Sequence, residues 1–271
     1  MTMRIPLPES LRPPEGVVTS PATPRDAATI ALVRDGDQGL ETYLLRRRST
    51  LEFAPGMLVF PGGGVHEGDL RVTDWIGPDA SVWAKTFDCD ETVARGLVVA
   101  ALRETFEESG VLFAGPGPGE PVIADTSGFA AERRALDAGE LDFADFLDAQ
   151  GLVLRVDLIG AWAHWVTPTF EPKRFDTRFF VAAVPEGQQV GELPGEADRA
   201  AWWPIREIWA AAESGEYMML PPTAVTCREL EGLTVDDLPR ALAERAFDRI
   251  EPALVDIDGA LFLEYAGVES S

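Results

Sequence analysis

Arg103-Glu104-Thr105-Phe106-Glu107-Glu108-Ser109-Gly110-Val111 is the stretch on which the reading of this sequence turns. Just before and within it, Val98, Leu102 and Phe106 recur every four residues, which predicts a helix over 91–109. Asp90 stands where an N-cap belongs, and Gly110 stands just past the helix end. Side chains three and four apart share a helix face, so Glu104, Glu107 and Glu108 converge within about 100° of arc. They fall in the last two turns, where the helix dipole is negative and disfavours each carboxylate by about 0.3–1 kcal/mol. Three anions at that end call for a cation. Hard divalent ions such as Mg²⁺ or Mn²⁺ prefer oxygen ligands and match the set. In so acidic a chain the glutamates alone also read as a solvated face, and both readings stay open at this level.

Working outward, Phe60-Pro61-Gly62-Gly63-Gly64 is a stretch suited to a tight loop that exposes its backbone. Before it, Ala27–Arg34 and Glu41–Arg48 read as strands of a hairpin turning at Asp35-Gly36-Asp37. Residues 70–90 read as irregular, with Trp75 and Trp83 available to pin them. After the glutamates, 130–150 reads as one or two amphipathic helices, 152–167 and 178–184 as strands, 204–214 as a short helix and 235–250 as a longer one. Strands and helices mix without a βαβ alternation, which predicts an α/β fold with a mixed sheet between helices. Six prolines make 1–25 an extended arm. The remainder, 26–271, reads as a single domain, with an insertion over 70–95 and a helical extension over 220–271.

Of 271 residues, 46 are Asp or Glu and 23 are Lys or Arg, for a net charge of −23. That field opposes nucleic-acid phosphates and anionic membrane surfaces, so neither is expected as a partner. Two distant cysteines, Cys89 and Cys227, exclude a disulfide framework and a CxxC metal site. The opening MTMRIPLPESLRPPEG holds no apolar segment of the kind a secretory leader carries, and a cytoplasmic setting is expected.

The glycine loop and the glutamate helix together resemble the Nudix hydrolase signature, G-x5-E-x7-R-E-U-x-E-E-x-G-U with U a bulky apolar residue. Gly63 is followed after five residues by Asp69, then by Arg103, Glu104, Glu107, Glu108, Gly110 and Val111. Three departures stand out: Asp69 in place of Glu, Thr105 in place of an aliphatic residue, and thirty-three residues instead of seven between Asp69 and Arg103. The surplus is the insertion. The resemblance implies a Nudix-type α/β/α sandwich that hydrolyses a small-molecule diphosphate with Mg²⁺ or Mn²⁺. It assigns Glu104, Glu107, Glu108 and the Gly63 carbonyl to the metal, Arg103 to orienting Glu104, and the general base to Glu104. Some family members use a carboxylate from a distal loop instead, which here would be Glu192, Glu196 or Asp198. It also allows a homodimer.

The inserted signature, with WVTP at 165–168, RFDTRFF at 174–180 and PPT at 221–223, is similar to the family branch that cleaves coenzyme A. The coenzyme A recognition pattern is partly present: Leu44, Leu45, Arg48, Ser49, Gly56 and FPGG fit, one residue is lacking and a second Arg is absent. Arg46, Arg48, Arg174 and Arg178 are the candidate substrate-binding cations. ADP-ribose, a nucleotide sugar or a dinucleotide is the alternative substrate class, and a nucleotide-sensing module without catalysis is the alternative function. His164, between two tryptophans, reads as a structural histidine; His66, in the glycine-rich region, could reach substrate.

Overall fold

In the strand Arg25–Gly36, side chains divide by parity: Ala28, Ile30 and Leu32 enter one apolar core, Ala31 and Val33 a second. This strand is β2, the one before it, Thr2–Pro6, being β1. β3 (Gly39–Arg47) divides the same way, Tyr43 and Leu45 against Leu40 and Leu44, and so does β10 (Phe175–Ala183), Phe180 and Ala182 against Phe179 and Val181. Burial on both faces is what a sheet between two helical layers requires. The computed structural model describes residues 2–6, 21–50, 54–193, 195 and 197–266.

The main sheet runs in the order β11 (Ala197–Pro204), β3, β2, β10, β9 (Gly160–Val166), β12 (Arg249–Ile250). Short β4 (Leu58–Val59) adds to β3, and β5 (Gly62–Gly64) adds to β2. β2 is parallel to β10 and β9 to β12, whereas the other neighbours are antiparallel, so the sheet is mixed as expected. One layer holds α1 (Ala80–Phe87), α2 (Glu91–Ser109), α3 (Ala130–Asp137) and α4 (Phe143–Gln150). The other holds α5 (Ile205–Glu213), α6 (Pro221–Leu230) and α7 (Leu238–Glu244). A small sheet of β6 (Trp75–Ile76), β8 (Val153–Arg155) and β7 (Ala114–Gly115) joins the insertion to the segments after α2.

Several expectations need correction. The hairpin turns at 37–38, because Gly36 pairs with Gly39. The insertion is not wholly irregular: α1 forms within it and sends Trp83 and Phe87 into the first core. In the opening arm, residues 2–6 form β1 against β14 (Ala260–Ala266), and Met3 and Ile5 pack on the second core. The end of the chain is not helical throughout. β13 (Ala253–Ile257) and β14 form a hairpin whose turn, Asp258-Gly259, has both residues left-handed, the geometry that matches strand twist. The longer helix expected over 235–250 is confined to 238–244, and the strand expected over 152–167 is interrupted at 156–159.

Candidate active site

Helix α2 spans 91–109, the bounds its spacing predicts, and ends where Gly110 turns left-handed and donates its N–H to the Phe106 carbonyl at 2.8 Å. Asp90 occupies the N-cap position with its backbone alone; its carboxylate makes no capping bond. Thr105, odd for the signature, is fully buried and donates its hydroxyl to the Ala101 carbonyl at 2.8 Å. Ser109 does the same to Thr105 at 2.6 Å, so these buried hydroxyls are satisfied along the helix itself.

Arg103 is the hub. It is 4% exposed, and its Nε and Nη2 form a fork on Asp69, at 2.7 and 3.1 Å, which is 1% exposed. Nη1 donates to Glu104 at 2.9 Å and to Glu107 at 3.0 Å, and Nη2 reaches the Gly64 carbonyl at 2.9 Å. Asp69 also accepts the His66 N–H at 2.8 Å, closing the loop after the glycines. The thirty-three residues between Asp69 and Arg103 are therefore an excursion whose ends meet in one buried ion pair. In the sequence Asp69 stands only as a departure from the signature; its role as the fork's acceptor has no local signature, since the partner lies 34 positions away.

The glycines are explained by contact. On β5 a Cβ at Gly63 would collide with the Glu104 carboxyl, and one at Gly62 would meet the Thr29 side chain at 2.5 Å. The Gly62 N–H donates to Glu108 at 2.8 Å. Loop and helix thus meet as expected, with Gly63 beside Glu104 and Gly62 bonded to Glu108.

The electrostatics follow from burial. Arg103 is held above the ordinary arginine pKa: burial alone would lower it, but the bond to Asp69 and the charges of Glu104, Asp69 and Glu107 outweigh that. Glu107 is pushed up to about 8, chiefly by burial and further by Glu104, against the pull of Arg103. One guanidinium thus serves three carboxylates, a surplus of negative charge. Every donor is oxygen, the set hard cations prefer. Among the described residues no three His, Cys, Asp or Glu side chains are grouped to hold a metal ion by themselves. Beside Arg103 and Glu107 a cavity of about 380 Å³ opens toward Leu136, Ala138 and Phe143, with His66 at its wall. Burial and Arg103 lower the His66 pKa.

The other candidates scatter. Arg46, on β3, is partly exposed and paired with Asp198 at 2.6 Å; Arg48 is exposed and reaches the Ala197 carbonyl at 3.3 Å. Asp198 therefore lies on β11 rather than in a loop, and is engaged by Arg46. Arg174 and Arg178, expected to bind substrate, are 7% and 4% exposed and used inside the fold. Arg174 binds the Thr167 and Ala22 carbonyls and Glu251. Arg178 binds Asp176 and faces the Phe87 ring at 5.9 Å. Glu192 sits near the end of α2 with its carboxylate exposed, and Glu196 lies outside the described residues. His164 is the structural histidine expected, buried and bonded to Asp176 at 2.6 Å.

The model of the NUDT19 Nudix domain family matches residues 79–230, more than half of the chain. The chain belongs to the Nudix hydrolase family. Among solved structures this Nudix chain is similar to a NUDIX hydrolase from Alicyclobacillus acidocaldarius, with 30% identity and a TM-score of 0.65. That match covers 83% of this chain and 98% of the other. Among curated proteins it is similar to the acyl-coenzyme A diphosphatase NUDT19 of Xenopus laevis, at 24% identity over 67% of this chain and 57% of that protein. The Homo sapiens protein of the same name is 26% identical over 79% of this chain and 67% of that one. The Nudix chain thus spans little more than half of the frog relative's length. The family-model match begins after the glycine loop and Asp69 and does not cover them. Among the described residues no helix is long and apolar enough to cross a membrane.

Proposed function

We propose that this chain is a divalent-metal-dependent pyrophosphohydrolase that cleaves a nucleoside diphosphate linked to a second moiety, with coenzyme A or its acyl esters as the first substrates to test. The observation that carries this reading is the Arg103 hub: a buried guanidinium that holds Glu104 and Glu107 on one helix, beside a loop whose glycines touch Glu104 and Glu108. The names of the two curated relatives support the choice of substrate.

Mg²⁺ or Mn²⁺ would be held by Glu104, Glu107, Glu108 and the Gly63 carbonyl. Mg²⁺ commonly takes one or two carboxylates and keeps several waters, so it does not need three converged side chains. Such an ion would neutralise the diphosphate and lower the pKa of an attacking water. The protein's own contribution is orientation. Arg103 fixes the Glu104 carboxylate through its bond at 2.9 Å, the Gly62 N–H fixes Glu108, and Asp69 keeps Arg103 from turning away. Glu104 is the first choice as general base and Glu192 the second. Arg46 and Arg48, near the strand that leads into the glycine loop, are the cations to meet a further phosphate.

The test is product analysis on a panel of diphosphates, with and without Mg²⁺ or Mn²⁺. Metal-dependent conversion of coenzyme A into 3′,5′-ADP and 4′-phosphopantetheine is the expected outcome. Cleavage of ADP-ribose, a nucleotide sugar or a dinucleotide alone would move the substrate to those classes. Binding without cleavage of any would make the chain a sensor.

A further inference from the structure

The carbonyl end of α2 is tied to two other chain segments by one side chain. Arg133, on α3, donates from Nε to the Glu107 carbonyl at 2.8 Å and from Nη2 to the Glu192 carbonyl at 2.9 Å. Beside it the Gly191 N–H donates to the Ser109 carbonyl at 2.7 Å, and the Thr126 hydroxyl to the Gly110 carbonyl at 2.8 Å. The same loop is gripped a few residues earlier. The buried Gln188 amide accepts the Leu112 N–H at 2.8 Å and donates to the Leu112 and Ile123 carbonyls at 2.7 and 2.6 Å. Carbonyls that the last turn of a helix leaves without partners are thus taken up by α3 and the 188–192 loop.

Two glycines mark how close the approach is. Gly110 needs its left-handed conformation to end the helix, and a Cβ there would lie 3.1 Å from the Gly191 nitrogen. Gly191 has no such conformational need, yet a Cβ on it would come within 2.6 Å of Arg133 Nη1. The space around Gly191 is filled by the guanidinium. Burial lowers the Arg133 pKa, while Tyr43, Asp137, Glu192 and Glu108 act in the opposite direction.

We infer that Arg133 is a positioning residue: it locks the last turn of α2, which carries Glu107 and Glu108, and the loop carrying Glu192 into one unit. This rests on the hydrolase reading, because positioning is worth measuring in turnover only if these glutamates act on a substrate. The planar fork suits the task, since one guanidinium reaches two carbonyls from different segments; a lysine ammonium is a single point without that fork.

The experiment compares Arg133→Ala, Arg133→Lys and Gly191→Ala with the parent chain, reading kcat and KM for whichever diphosphate the panel shows to be cleaved. Amide hydrogen exchange over 105–112 and 186–193 is measured alongside. Misplacement by about 1 Å can cost about a hundredfold in rate. Arg133→Ala is therefore expected to lower kcat by at least about tenfold with KM within about twofold, and to speed exchange in both segments. Gly191→Ala should reproduce both effects, because its methyl displaces the guanidinium. Arg133→Lys should recover only part of kcat. A folded Arg133→Ala or Gly191→Ala protein with parental kcat would overturn the inference, as would exchange unchanged in the loop. A chain that cleaves no diphosphate would sink the hydrolase reading alone, and exchange would still decide whether the lock exists. If Arg133→Ala does not fold, Gly191→Ala carries the test.

Discussion

Two arginines, Arg103 and Arg178, are equally buried at 4% exposure, and both rest on an aspartate. Their surroundings differ. Arg103 uses Nε, Nη1 and Nη2, and three carboxylates press on it together with a backbone carbonyl. Arg178 leans on Asp176, which His164 shares, has Asp26 at 3.9 Å and lies beneath Phe87. Its Nε is buried with no hydrogen-bond partner among the described residues. The first centre keeps a surplus of negative charge next to a cavity. The second sets one guanidinium against Asp176 and the more distant Asp26, with a histidine on one side and an aromatic ring above. Identical residue type and burial therefore do not mark a site; the balance of neighbouring charge and the open space beside it do.

The sharpest way to break the first centre is Asp69→Ala. Removing one partner of a buried pair leaves the other charge uncompensated, at a cost of about 3–5 kcal/mol. Urea denaturation should show that loss, and an unchanged midpoint would mean that Glu104 and Glu107 hold Arg103 without Asp69. Next in size, Glu108→Gln should lower kcat by about a hundredfold, or about 2.7 kcal/mol of barrier, at saturating metal. Stability should change little, because the amide oxygen can still accept the Gly62 N–H. Unchanged turnover in both Glu108→Gln and Glu104→Gln would return the cluster to a solvated acidic face.

At the second centre Arg178→Met should cost about 1–3 kcal/mol of stability, the range for breaking a buried hydrogen-bonded ion pair offset by restored apolar packing. KM for the substrate should stay within about twofold; a large rise would restore Arg178 as a substrate contact. The same centre predicts a pH response. Burial alone would raise the Asp176 pKa, but the His164 hydrogen bond and the Arg178 charge hold it below 3.8. A carboxylate with a depressed folded-state pKa adds stability that is complete above its unfolded value and is lost as pH falls through the folded one. Asp176→Asn should therefore flatten the stability–pH curve below about pH 4, and parallel curves for variant and parent would refute it. The smallest effects belong to Arg46 and Arg48 at the surface. The double change to Ala should leave the urea midpoint where it is in the parent, because solvent screens surface ion pairs. If these residues meet a 3′-phosphate, KM should rise more for coenzyme A than for dephospho-coenzyme A. Equal rises would remove them from that role.

Read as a string of residues, the chain already showed α2 over about 91–109, its glycine stop, the approach of the glycine loop to the glutamates, and the structural part played by His164. The helix and its stop are local, whereas the approach of the glycine loop was expected only through the family resemblance. A helical period, a left-handed stop and a short glycine run are set by neighbours within a few positions, and the signature joined them across the insertion. What only the tertiary structure decided is long-range and needs two distant segments at once. Asp69 became the acceptor of Arg103 when the excursion between them closed. Arg174 and Arg178 were turned inward by partners on other elements, Asp176 among them. Asp198 was carried onto β11, where Arg46 engages it. Arg133 and Gly191 acquired their relation only when α3 and the 188–192 loop met at the end of α2. A charged side chain has the same sequence signature whether it faces solvent, substrate or a buried counter-ion, because the dielectric and the neighbours that separate these fates are supplied by packing.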